Sequence, residues 1–168
     1  FAFDNLVVDD VLGDGQDFLP ADGRPGFVTD GSEIIPQLTY TQHGSTITVD
    51  FDSANYTAVV NPDGTTTLQF DVMAQLQTDH PLISAGDPAL GGLVPSGGLA
   101  GGGFNPATFN GGPTTGTITY RVQVRDTFTN VSGEVEVSQG DRLINSVDIS
   151  GDNLDIDNLA SLGVTVTD

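Results

Sequence analysis

Residues 117–124, TITYRVQV, alternate strictly: Ile118, Tyr120, Val122 and Val124 fall on one side of an extended chain, Thr119, Arg121 and Gln123 on the other. A period of two marks a strand with one buried face. The pattern returns in STITVDF (45–51), where Ile47, Val49 and Phe51 share a face opposite Thr46, Thr48 and Asp50. Further strands are predicted at 3–8, 36–41, 54–60, 65–72, 133–138, 142–149 and 162–167. No window of 11 or more residues carries a helical stripe, so the chain reads as all-β. Between the strands, NPDG (61–64) and QHGS (42–45) have the chemistry of hairpin turns.

Short strands joined by tight turns predict an Ig-like Greek-key β-sandwich. At 168 residues the chain is read as one domain, 1–168. It starts at Phe1 rather than Met, which suggests a processed protein or a segment of a longer one. Residues 84–116 interrupt the rhythm: they hold 11 of the 22 glycines together with Pro88, Pro95, Pro106 and Pro113, so no strand is expected to persist there. This Gly/Pro-rich insertion is nevertheless punctuated by Leu90, Leu93, Val94, Leu99, Phe104 and Phe109, anchors with which it could lie across the sandwich or a neighbouring molecule.

Charge narrows the function further. Four arginines, no lysine and 23 acids leave a net charge of −19, which repels nucleic acid and anionic membrane surfaces. No apolar run is long enough for a membrane span, so no membrane insertion is expected. All but three of the acids are aspartates, which belong to turns and caps rather than to helices. The absence of cysteine excludes disulfides, thiolate metal sites and thiol nucleophiles.

The residues offer little for catalysis. His43 sits beside a turn glycine and His80 before a proline, neither with a nucleophile at a telling spacing, and no G-x-S-x-G elbow occurs. Glu134 and Glu136 share one face of a strand about 7 Å apart, like a glycosidase pair, but a solvated strand face is the better account of them. A row of exposed aromatics for carbohydrate is not evident either, since Tyr40, Tyr56 and Tyr120 all take inward positions and there is no Trp. Two acidic clusters are candidates for calcium, which takes six to eight oxygens from loops. One is the bend of LVVDDVLGDGQDFLP (6–20), with Asp9, Asp10, Asp14 and Asp17; the other is GDNLDIDN (151–158), with Asp152, Asp155 and Asp157. Neither has EF-hand spacing, and no cofactor is required by the reading. Asn55 and Asn130 open N-glycosylation sequons.

Three stretches taken in order, NLVVDDVLGDGQDFL (5–19), GTITYRVQVRDTFT (116–129) and QGDRLINSVDISG (139–151), resemble the repeat modules of very large bacterial surface proteins, the group that includes isopeptide-forming fimbrial domains. The resemblance implies an Ig-like sandwich acting as a non-catalytic structural module of an extracellular fibre, stalk or adhesin at the bacterial cell surface. Its partners would be neighbouring copies or modules of the same protein. The isopeptide crosslink of that group needs a lysine, and this chain has none. Terminal apolar strands carrying Phe1, Phe3, Leu6 and Val8 at one end and Val164 and Val166 at the other, with Phe104 and Phe109 of the insertion, are the candidate assembly surface. The alternative they suggest is a filament or surface-layer subunit that polymerises by strand exchange.

Overall fold

A computed structural model describes residues 5–42, 45–79, 93–94, 98–99, 116–130, 135–151 and 158–165. Phe1, Phe3, His43, His80, Phe104, Phe109, Glu134, Asp152, Asp155, Asp157 and Val166 lie outside the described residues. The strands in chain order are β1 (Val7–Leu12), β2 (Gln16–Phe18), β3 (Gln37–Gln42), β4 (Ser45–Asp50), β5 (Tyr56–Val60) and β6 (Thr66–Asp71). A short helix, α1 (Val72–Asp79), precedes β7 (Leu93–Val94), β8 (Gly98–Leu99), β9 (Gly116–Thr119) and β10 (Val122–Val124). The last four are β11 (Thr127–Phe128), β12 (Val135–Glu136), β13 (Arg142–Ser150) and β14 (Asn158–Thr165).

The chain is all-β in character. Its largest sheet is five-stranded and antiparallel, in the order β14-β13-β1-β6-β5, and a three-stranded sheet follows the order β4-β3-β9. The pairs β2/β10, β11/β12 and β7/β8 complete the pattern. Register places Val8 between Ile149 and Phe70, Asp10 between Val147 and Leu68, and Leu12 between Asn145 and Thr66. Cross-strand neighbours share a face, and this face carries the core.

Leu12, Leu68, Phe70 and Tyr56 from the large sheet are buried together with Leu38 and Tyr40 of β3, Phe51, Phe18 of β2, and Val72 and Leu76 of α1. Ile47, Val49, Ile118 and Tyr120 pack against this cluster. Aromatic rings thread it: Phe70 stacks on Tyr56 and on Tyr120, each with centroids 5.8 Å apart, and Phe18 meets Tyr120 edge-on at 5.9 Å. Such pairs add about 0.5–1.5 kcal/mol each beyond the area they bury.

The two predicted hairpins are present: β3 pairs with β4 from Gln42 opposite Ser45, and β5 with β6 around a turn in which the Gly64 N–H donates to Asn61 O at 3.0 Å. Several elements differ from the sequence expectation. The first strand runs from Val7 to Leu12 rather than from 3 to 8, and the supposed bend beyond it contains β2, in which Gln16 and Phe18 are buried. Aspartate is a poor strand former, so Asp9 and Asp10 disguised a strand as a turn.

TITYRVQV is two strands rather than one. β9 stays with β3 as far as Thr119, and β10 resumes at Val122 against β2. Alternation reports the pleat of a chain and not its partner. Val122 and Val124, expected inside, are therefore exposed in the second pair, while Ile118 and Tyr120 keep their core contacts. Within the glycine-rich insertion, β7 and β8 form a two-residue pair where no strand was expected. β14 begins at Asn158 rather than at 162.

The helix is a further difference. Asp71 ends β6 and caps α1, its Oδ1 accepting from Ala74 N–H at 2.8 Å, and eight residues are too few for a helical stripe to show. Buried Gln75 then fastens the helix. Its Oε1 accepts from Asp52 N–H at 2.8 Å and from Asn55 Nδ2 at 3.1 Å, and its Nε2 donates to Asp50 O at 3.2 Å. The sequon residue Asn55 is thus committed to an internal contact. No helix among the described residues is long and apolar enough to cross a membrane. Replacing Asp71→Ala removes the cap and is expected to lower stability by about 1 kcal/mol, read as a shift of the urea midpoint with unchanged m-value.

Candidate functional site

The aspartates of the first bend are sent to four different places. Asp9 and Asp10 are successive in a strand and so project to opposite faces of the sheet. On the outer face Asp9 accepts from Gln69 Nε2 at 2.8 Å. Asp14 occupies the turn between β1 and β2, and Asp17 lies in β2 with its Oδ1 3.5 Å from Arg125 Nε. Among the described residues no three histidine or acid side chains converge on a common metal position.

Asp14 is an internal tie. Its carboxylate accepts from Gly15 N–H at 2.8 Å, Thr129 N–H at 2.8 Å, Asn130 N–H at 2.7 Å and Arg125 Nη2 at 2.8 Å. Arg125 donates onward to Gly64 O at 2.6 Å and to Thr129 Oγ1 at 2.7 Å. One ion pair therefore joins the β1–β2 turn, the β5–β6 turn and the segment after β10. Gly64 (φ +82°) makes the junction possible, since a Cβ there would stand 2.3 Å from Asp14 Oδ1. Burial works against ionisation of Asp14, but the N–H donors of Thr129, Asn130 and Gly15 and the charge of Arg125 outweigh it and hold its carboxyl below the usual range.

A second tie holds the segment between β2 and β3. The backbones of Leu19 and Ala21 bond to Ile34, closing that segment at its base. Arg24 pairs with Asp22 at 2.9 Å, lies 4.1 Å above the Tyr56 ring, and donates to Tyr56 O at 3.3 Å and Ser53 O at 3.1 Å. The Tyr56 hydroxyl donates to Asp22 at 2.6 Å.

Asp10 is the exception. It faces inward, is only 5% exposed, and lines a cavity of about 270 Å³ walled by Val8, Phe70, Ile118, Val147 and Ile149. Tyr120, from the point where β9 gives way to β10, donates its hydroxyl to Asp10 Oδ2. Asp10 Oδ1 is buried without a hydrogen-bond partner. Burial raises the Asp10 pKa, the Tyr120 bond countering it in part. The Tyr120 phenol is raised by burial and by facing the carboxylate, which keeps it a donor. Among the described residues the cavity presents one acid, Asp10, and one phenol, Tyr120.

The assembly residues separate as well. Leu6 is 7% exposed and Val8 packs against the core, because β1 is flanked on both sides by β13 and β6 rather than standing at a free edge. Val164 lies in β14 opposite Leu143, in the outermost strand of that sheet. All three tyrosines turn inward as expected, Tyr40 and Tyr56 fully and Tyr120 partly. The partners of Asp10 and Asp14 lie 110 and 111 residues away along the chain, and sequence reasoning did not find them. The usable signal was scarcity, since each of only four arginines had a choice of 23 acids.

The two aspartates affect stability with opposite signs. The Asp14 contribution is present above the ordinary carboxylate range and lost as pH falls through its lowered folded value. Asp10, raised on folding, is a burden at neutral pH that is relieved as pH falls through its folded value. Urea unfolding at pH 7 should show Asp14→Ala losing about 3 kcal/mol and Asp10→Asn gaining about 1 kcal/mol. Both differences should shrink toward pH 3. No protein-family model matches the chain, and neither does any curated protein.

Proposed function

We propose that the chain is a structural, non-catalytic module of a bacterial extracellular fibre, adhesin stalk or surface protein, built as an Ig-like Greek-key sandwich and joined in line to neighbouring copies or modules. The observation that carries this reading is the direction of two strands. β1 and β14 lie on either side of β13, each antiparallel to it, so they run the same way. Val7 is opposite Ser150 at one end of β13 and Thr165 is opposite Arg142 at the other. The polypeptide therefore goes into this sheet at one end and leaves it at the opposite end, about 27 Å away at roughly 3.4 Å per residue. Modules connected through such ends would extend in a line.

The same geometry suits a chain under tension. Pulling on β1 and β14 in opposite directions slides both past β13, so the six residue pairs of one ladder and the eight of the other are loaded together. The two arginine ties add stiffness by pinning distant turns to the sheets. Polymerisation by strand exchange has less support, because β1 is a central strand and removing it would split the large sheet.

Single-molecule force spectroscopy tests the reading. Stretched between its termini, the domain should unfold at a force at least twice that needed when it is stretched between the carboxyl terminus and a handle at Asp63→Cys, where β6 can be peeled from β1 pair by pair from Thr66 opposite Leu12. Equal forces in the two geometries would remove the support for an in-line structural role.

A further inference from the structure

We propose that the cavity between the sheets is a binding site for a small organic monocation, an ammonium head on an apolar body of up to about ten heavy atoms. This inference is independent of the in-line structural role. It rests on the cavity, on the unpartnered oxygen of Asp10, and on the distribution of the chain's few cations.

None of the four arginines is available to Asp10. Arg24 is held by Asp22 and Tyr56, Arg125 by Asp14 and Gly64, and Arg121 by Ser32 O. Arg142 is exposed, and there is no lysine. Tyr120 has given its single hydroxyl proton to Oδ2. Oδ1 is left as a buried acceptor, and as a structural device this is poor, since an unpaired acid in a core destabilises where an amide or an apolar side chain would not. Features that oppose stability in this way gather at functional sites.

The walls select the ligand. Calcium would need six to eight oxygens, whereas the cavity is lined mainly by hydrocarbon and aromatic groups. An anion would meet the Asp10 carboxylate, and a purely apolar guest would leave Oδ1 without a donor. An ammonium supplies the donor and the charge. Its apolar body would rest against Val8, Ile118, Val147 and Ile149. An apolar cavity of about 150 Å³ in another protein accommodates benzene, so about 270 Å³ suits a somewhat larger guest. The net charge of −19 enriches cations at the surface from which the ligand must come.

The test is a titration at pH 7 with three probes of one size, benzylammonium, benzyl alcohol and benzoate, followed through the NMR methyl signals of Val8, Ile118, Val147 and Ile149. Enough salt is added to screen the surface charge. The expected result is saturable binding of benzylammonium at least tenfold tighter than benzyl alcohol, with no binding of benzoate. Asp10→Asn should abolish the preference for the amine. Val147→Phe, which fills the cavity and leaves the carboxylate in place, should abolish binding of amine and alcohol alike. Equal affinity for amine and alcohol would overturn the proposal, as would an amine response that is linear in concentration or that survives either substitution.

Discussion

The pairing of Asp14 with Arg125 is the interaction on which the arrangement of this domain most depends. It meets a topological need. β1 belongs to the five-stranded sheet and β2 pairs elsewhere, so the chain must turn sharply between them, and a turn of that kind leaves N–H groups pointing inward. The Asp14 carboxylate accepts the turn's own Gly15 N–H, the Thr129 and Asn130 N–H groups from beyond β11 and a guanidinium, and the same guanidinium reaches across to Gly64 O at the far hairpin. In a chain so rich in acid, one cation placed at the junction of three turns does more for the fold than several exposed ion pairs, which contribute little each.

The fold class was legible because alternation is a local property. The pleat of STITVDF and the turn residues of NPDG are set by neighbours along the chain, and both elements lie where the sequence places them. What was not legible depends on partners far away. TITYRVQV gives no sign that its two halves pair with different strands. The aspartates of DDVLGDGQD look alike in sequence, yet one accepts from a glutamine on an exposed face, one is buried against a tyrosine and one anchors an arginine. Their proximity in sequence suggested a shared cation, but strand alternation separated the first two and the turn carried the third away. The helix escaped because a single capping residue, Asp71, ends one element and begins the next within one peptide unit.

Two kinds of polar burial thus coexist. Around Asp14 both carboxylate oxygens are held, by three backbone N–H groups and the Arg125 guanidinium, although Arg125 Nε is itself buried without an acceptor. Around Asp10 the accounting is incomplete: one oxygen is held by Tyr120 and the other is not held at all. The contrast within one bend of one strand separates a carboxylate that builds the domain from one that the domain merely tolerates.

The position of Arg24 has a consequence for solubility. β5 is the outermost strand on its side of the large sheet, and Val59 and Val60 on it are more than half exposed. Such an edge invites a foreign strand to dock and start an aggregate. The guanidinium of Arg24 sits over that edge and occupies Tyr56 O, a carbonyl that an incoming strand would need. Crowded together, copies of the chain would find this edge already taken at one end and would be kept from fusing their sheets.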